Sequence, residues 1–336
     1  MQDFVKKSQE FYPGLRFSRS YSMYSSPEPT SCDFEYSFSN GFLKGSPYEL
    51  SSDTQLIHYI PSIEILFEII KSGVFRLTSL NAKNDKYELS YLTKQLKVNI
   101  ADDIIEKYKK QFFCASFGKV YPNNEEEFTM WRLYGAEGRG AALIFKVENN
   151  IEDWHRFTIG QVKYGLNEAS ERYREFVSFF NDFQKFNNNP IQNQPITYTA
   201  FLALHKNIGW EYENEIRILI YYKYDDYTYK TGIGSDLLTK VYHSYNNNSG
   251  HYAYIELPLV GSVEYERLNS LFLKDDMNDL HSGFLSMLPR LKLEKIILGY
   301  QYSPENLLKI SNTISHEIAK HPTLRTIIYT SKFSDH

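Results

Sequence analysis

The chain has 336 residues, a formal net charge of -4, 42% hydrophobic residues, and unusually many aromatics, with 28 Tyr and 23 Phe. That length accommodates one large domain or two small ones with a proper core, and the charge excludes a global basic field for nucleic acid, leaving only local patches. Abundant aromatics beside only 17 Gly favour strands over an Ala-rich helical bundle, so an α+β class is expected.

Residues 1–54 are rich in Ser, Pro, Tyr and Phe and carry no sustained period, which predicts an irregular N-terminal extension with one short helix at its start. QLIHYIPS, residues 55–62, reads as a strand ended by Pro61, and Ser62 can cap a helix that Gly73 closes. VFRLTSL alternates as a strand, and Asn84-Asp85 is turn chemistry ahead of Glu88. Leu89–Lys110 reads as a helical stretch with a basic tail, followed by the buried strand QFFCASFG. A helix with Phe128, Trp131 and Tyr134 on its apolar side precedes the strand GAALIFKV, and FTIGQVKYG is the next strand. The region from Asn167 to about Leu204 is helical, with FNNNPIQNQP as a surface loop. KNIGWEYENEIRILIYY returns to a strand, HYAYIELPL follows the NNNSG loop, and the end of the chain reads strand, helix, strand. No repeat or linker interrupts residues 55–331, which are expected to form a single domain.

Cys32 and Cys114 are far apart and lack metal-ligand spacing, so both are expected as reduced thiols of a cytoplasmic protein with no metal. The N-terminus has no apolar signal region, and no apolar run approaches the ~18 residues of a membrane span, so no membrane partner is expected.

WEYENEIRILIYY carries the strongest chemical signal. In an extended chain, Glu211, Glu213, Glu215 and Arg217 share one face while Tyr212, Ile216 and Ile218 share the other. A row of carboxylates needs Arg217, another base or a ligand to relieve its repulsion; otherwise it is a solvated strand edge. His58-Tyr59, the Asn84, Asp85 and Glu88 group, and Trp131 with Tyr134 are further clusters, each equally readable as core packing or a turn. GAEGRG at 135–140 follows a helix rather than a strand, so it lacks the context of a dinucleotide loop, and His155 and His205 suggest no role. There is no Walker loop, HExxH or GxSxG.

The ordered segments HYI, NDKYE, CAS, MWRLY and WEYENEIR resemble a large bacterial family of unknown function whose pattern reads HYT, NDxxE, CxS, MWxxY and WxxExExR. The likeness spans about residues 55–300, with Ile60 in place of the usual small polar residue. That family looks distantly related to the ADP-ribosyltransferases, and many of its members sit in toxin or phage-defence settings. The resemblance implies a split, bent mixed sheet that holds NAD as co-substrate. It implies His58 on the adenosine-side ribose, with Tyr59 beside it. Glu215 is then the catalytic carboxylate, with Glu213 orienting the acceptor. Tyr134 or Trp131 would stack on nicotinamide, Arg217 or Arg76 would meet the pyrophosphate, and Asp85 and Glu88 would hold the loop framing the pocket.

The expected partners are a macromolecular acceptor, with nucleic acid favoured over protein, and an antitoxin or regulatory protein. The basic segments Arg16/Arg19 and KYKK at 107–110, or the tyrosine-rich stretch at 221–230, are candidate contacts, although each reads equally as a solvated face or a hairpin. Two other readings stand beside the transferase. One is a hydrolase, a glycosidase or nuclease, using Glu213 and Glu215 as a carboxylate pair; the other is a non-catalytic module that binds a nucleotide or partner.

Overall fold

The apolar run Phe112–Lys119 forms the strand to which the rest of the sheet is attached. The computed structural model describes residues 2–13, 17–20, 33–36, 43–51, 54–83, 87, 89–97, 100–121, 125–148, 150, 154, 157–187, 201–221, 241–246, 250–273 and 288–334. The order is α1 (Gln2–Phe11), β1 (Phe17–Ser20), β2 (Asp33–Tyr36), β3 (Leu56–Ile60), α2 (Ile63–Ser72), β4 (Val74–Ser79), α3 (Ser90–Leu96), α4 (Asp102–Gln111), β5 (Phe112–Lys119), α5 (Phe128–Tyr134) and β6 (Ala141–Val147). There follow β7 (Phe157–Gln161), β8 (Lys163–Tyr164), α6 (Glu168–Asn187), β9 (His205–Lys206), β10 (Glu215–Tyr221), β11 (Tyr242–Asn246), β12 (Gly250–Pro258), α7 (Val263–Leu273), β13 (Leu291–Leu298), α8 (Pro304–Ile318) and β14 (Ile327–Thr330). The fold class is α+β, as the composition leads one to expect.

Among the described residues, ten strands form one mixed sheet in the order β11-β12-β4-β5-β3-β6-β13-β14, with β10 and then β7 attached to the other edge of β5. Strands β13 and β14 run parallel, and the remaining pairs of this sheet run antiparallel. β10 follows β5 along its length, from Glu215 opposite Gly118 to Tyr221 opposite Phe112. The opposite edge of β5 is shared: β4 pairs at Phe113 and Cys114, and β3 pairs at Gly118 and Lys119. The sheet therefore splits beside Ala115–Phe117, where β3 and β4 part.

Alternation on these strands fills both faces. On one, Phe113, Ala115, Phe117, Ile216, Ile218, Phe75 and Leu143 pack with Ile63, Leu66 and Ile70 of α2 and Ile314 and Ile318 of α8. On the other, two clusters stand apart. Cys114 and Leu219 pack with Leu92, Ile105, Tyr173 and Phe176 from α3, α4 and α6, while Ile57, Tyr59, Ala142 and Ile144 pack with Trp131 of α5. Helix α2 begins and ends where its sequence indicates. Ser62 accepts from Ile65 N–H, and Gly73 takes the left-handed conformation at φ 66°, which costs glycine little.

Three expectations are corrected. Residues 89–110 form two helices, α3 and α4, because Lys97 turns left-handed at φ 54° and ends the first. Residues 208–213 form a 3₁₀ helix rather than the start of a strand, so the four-residue charge ladder does not exist. Glu211 and Tyr212 are exposed, and the strand begins only at Glu215. Two asparagines cause this. Asn207 caps the 3₁₀ helix by accepting from Gly209 N–H at 2.9 Å, and Asn214 ends it at φ 42°, a region asparagine tolerates better than most residues. Lastly, residues 1–54 are not irregular throughout: besides α1 and the β1–β2 pair, Tyr12, Leu43 and Tyr48 are buried against α6 and Phe201. Arg16, Cys32, Asn84, Asp85, Glu88, His155, residues 188–195 of the polar segment, the 247–249 loop and the tyrosine-rich residues 222–230 lie outside the described residues.

Candidate functional site

The split in the sheet leaves room for a side chain, and His58 takes it. Its ring meets Phe75 and Phe117 edge-on, at centroid distances of 5.0 and 5.8 Å, and its Nδ1 lies 2.8 Å from the Ser116 carbonyl oxygen. A carbonyl can only accept, so Nδ1 carries the proton and donates, which leaves Nε2 as an acceptor. Burial pushes the His58 pKa down to about 4; the Ser116 bond opposes that and Lys83 adds to it, so the ring is neutral at pH 7.

A cavity of about 240 Å³ lies at this split between the two clusters. His58 and Tyr59 from β3, Ser116 and Phe117 from β5, Met130 and Tyr134 from α5, and Glu215 and Arg217 from β10 line it, together with Lys83, Lys206, Trp210 and Glu213. The wall formed by the charged residues is a buried network. Lys206 Nζ donates to Glu213 Oε2 at 2.7 Å and pairs with Glu215 Oε2 at 2.8 Å. Arg217 Nε donates to Glu215 Oε1 at 2.8 Å, its second terminal nitrogen reaches Oε2 at 3.2 Å, and its first reaches the Ala203 carbonyl at 2.5 Å. Burial alone would raise the pKa of Glu215, but Arg217 and Lys206 outweigh it and hold the carboxyl well below the usual carboxylate range. Tyr134 donates its hydroxyl to Glu213 Oε1, and burial followed by that bond raises its pKa, so it stays a donor.

The turn at Asn214 makes this geometry possible, since it brings Glu213 beside Glu215 although the two come from different elements. Lys206 is set by the short pairing of β8 with β9, in which Tyr164 lies opposite Lys206, and Glu215 N–H donates to the Tyr164 hydroxyl oxygen at 2.7 Å. Next to it, His205 is buried with Nε2 2.6 Å from the Tyr48 hydroxyl, and burial, then Lys163, lowers its pKa to about 3.

Six of the eight sequence-indicated residues thus border one cavity: His58, Tyr59, Tyr134, Glu213, Glu215 and Arg217. The other two do not. Trp131 is 0% exposed; its Nε1 donates to Glu126 at 2.8 Å and its ring packs against Tyr59, leaving no face for a ligand. Arg76 lies 3.6 Å from Glu256, 4.0 Å from Glu68 and over the ring of Tyr254, and lines a separate cavity of about 130 Å³ on the α2 side of His58. Arg217 is 1% exposed and spends its donors on Glu215 and the Ala203 carbonyl. Sequence reasoning missed Lys83, Ser116, Lys206 and Trp210. Lys83 and Lys206 carry no periodic or spacing signal, whereas Ser116 stands in the CAS segment and Trp210 opens WEYENEIR, both patterns already singled out. Among the described residues, no group of three or more His, Cys, Asp or Glu is placed to hold a metal, and no helix is long and apolar enough to cross a membrane.

Compared with known families, residues 130–218 match a model described as a protein of unknown function (DUF2971). The match starts at the MWRLY segment and ends one residue beyond WEYENEIR, so it covers the last two of the five segments. No curated protein and no solved structure matches the chain.

Proposed function

We propose that this chain is a mono-ADP-ribosyltransferase that uses NAD as co-substrate and modifies a macromolecule. The observation that carries the reading is the pair of buried carboxylates, Glu213 and Glu215, fixed by buried cations on the wall of a cavity at the split of the sheet. Transfer breaks the bond between ribose and nicotinamide. The electron pair leaves with nicotinamide, the sugar becomes oxocarbenium-like, and the acceptor atom then bonds to the anomeric carbon and releases its proton. A carboxylate that stays anionic beside the sugar stabilises that positive charge, and the acceptor's proton passes to water.

The residues present fit this co-substrate. Tyr134 and Trp210 supply aromatic walls, and His58 Nε2 is an acceptor suited to a ribose hydroxyl. We assign Glu213 to the reacting sugar and Glu215 to the charge framework, reversing the order suggested by the motif alone. Arg217 takes both oxygens of Glu215, whereas Glu213 is held by the hydroxyl of Tyr134 and by Lys206. The resemblance to a family of unknown function, many of whose members sit in toxin or phage-defence settings, favours an effector role, with a nucleic acid as favoured acceptor and an antitoxin or regulator as a second partner.

The test is to incubate the chain with NAD labelled in its ADP-ribose part and a cell lysate, then digest one half with nuclease and the other with protease. Label on macromolecules that nuclease removes is the expected result. Absence of both labelling and nicotinamide release refutes the transferase.

A further inference from the structure

The charge on the cavity wall is not balanced. Glu213 and Glu215 are offset by Lys206 and Arg217, which leaves Lys83 as an additional positive charge. Lys83 follows the short 3₁₀ turn Leu80–Ala82 at the end of β4, and it is half-buried. Its Nζ donates to Ser116 Oγ at 3.3 Å, a long bond to a neutral hydroxyl, and it forms no ion pair among the described residues. A cation placed this way keeps most of its capacity for an anion. Ser116 is the residue whose carbonyl fixes His58, so the hydroxyl, the ammonium and the acceptor Nε2 of His58 are grouped at the split of the sheet.

We propose that Lys83 and Ser116 are the phosphate-binding pair of this cavity, with the diphosphate of a nucleoside diphosphate as the group they bind. An ammonium matches phosphate as a point charge, and the serine hydroxyl turns from accepting from Lys83 to donating to a phosphate oxygen. The other cations near the site are committed elsewhere: Arg217 and Lys206 to the carboxylates, and Arg76 to Glu256 and Glu68. This inference deepens the transferase reading, since NAD contains such a diphosphate, and it moves the phosphate contact from the arginines suggested by the motifs to Lys83.

The experiment measures binding of ADP and of adenosine by calorimetry to the full chain, to Lys83→Gln, to Ser116→Ala and to Arg76→Ala, with nicotinamide release from NAD followed in parallel. The expected result is that Lys83→Gln weakens ADP about ten- to a hundredfold, the range of a charge-assisted hydrogen bond, while adenosine is unchanged. Ser116→Ala gives a smaller loss in the same direction, and Arg76→Ala gives none. Equal affinity of the unmodified chain for ADP and adenosine, no ADP binding, or ADP binding indifferent to both Lys83→Gln and Ser116→Ala overturns the proposal. The two readings fail separately: ADP binding that depends on Lys83 without nicotinamide release refutes the transferase alone, and NAD turnover indifferent to Lys83→Gln refutes the phosphate pair alone. Thermal unfolding of each variant checks that a loss of binding is not a loss of fold.

Discussion

Replacing Lys206 by Met keeps all but the last atom of the side chain's length and removes the cation between two buried carboxylates. Lys206 Nζ lies 2.7 Å from Glu213 and 2.8 Å from Glu215, and all three side chains are under a tenth exposed. At an effective dielectric of about 20 each contact is a gross attraction of about 6 kcal/mol, and its loss also exposes the repulsion between the carboxylates. Lys206 itself no longer has to be desolvated, which offsets several kcal/mol, so the net cost falls near the 3–5 kcal/mol observed for breaking buried pairs. The pH dependence has a definite sign. Glu215 has a depressed folded pKa, so its contribution is present above the unfolded carboxylate value and is lost as pH falls through the folded one. The variant has already lost part of that contribution at pH 7, so the gap between the two proteins is widest near neutrality and narrows in acid. Urea unfolding at pH 7 and at pH 4 measures it. A variant within about 1 kcal/mol of the parent at pH 7, or a gap that widens in acid, refutes the reasoning.

Other perturbations separate structural from chemical roles. Tyr134→Phe removes the donor to Glu213 and is expected to lower NAD cleavage about tenfold while changing unfolding free energy by no more than about 1.5 kcal/mol; assaying both on one preparation checks it. Trp131→Phe deprives the buried Glu126 of a donor and leaves a void. It should cost about 2–4 kcal/mol by denaturant titration, with activity per folded molecule unchanged. A β-carbon at Gly140 would overlap the Ile60 carbonyl oxygen, so Gly140→Ala should unfold the chain or lower its stability by more than about 3 kcal/mol, read from soluble yield and melting temperature. His58 stays neutral to about pH 4 when folded, whereas the unfolded side chain protonates near 6.5. The unfolded state therefore binds more protons in that window, and stability falls as pH is lowered through it. His58→Asn should remove roughly 2 kcal/mol of that acid sensitivity between pH 6.5 and 4, measured by urea titrations across the range.

Much of this arrangement is legible in the sequence where a local cause decides the structure. Ser62 and Gly73 bound α2 through capping and a left-handed turn, and the apolar run at 112–119 is read as a buried strand because it is one. The motif series brings His58, Tyr59, Tyr134, Glu213, Glu215 and Arg217 to one cavity, although alternation holds only for Glu215 and Arg217 and not for Glu213. Two asparagines override that alternation: capping by Asn207 and the positive φ of Asn214 convert residues 208–213 into a turn. Lys206 is not legible because a buried lysine is tolerated only when carboxylates from elsewhere meet it, and nothing in the neighbouring residues records that meeting. Trp131 misleads for a related reason, since helical spacing places a tryptophan toward a strand without saying whether its face is open or covered by Tyr59.

The central claim is that Glu213 acts on the ribose of NAD inside this cavity. Its most direct test is nicotinamide release from NAD by the full chain beside Glu213→Gln and Glu215→Gln, each normalised to folded protein by unfolding curves. The account predicts that Glu213→Gln loses release per folded molecule by at least about a hundredfold and is destabilised less than Glu215→Gln, because Lys206 keeps Glu215 as its counter-charge in the first variant whereas Arg217 loses its own in the second. Release by Glu213→Gln at the rate of the parent chain contradicts it.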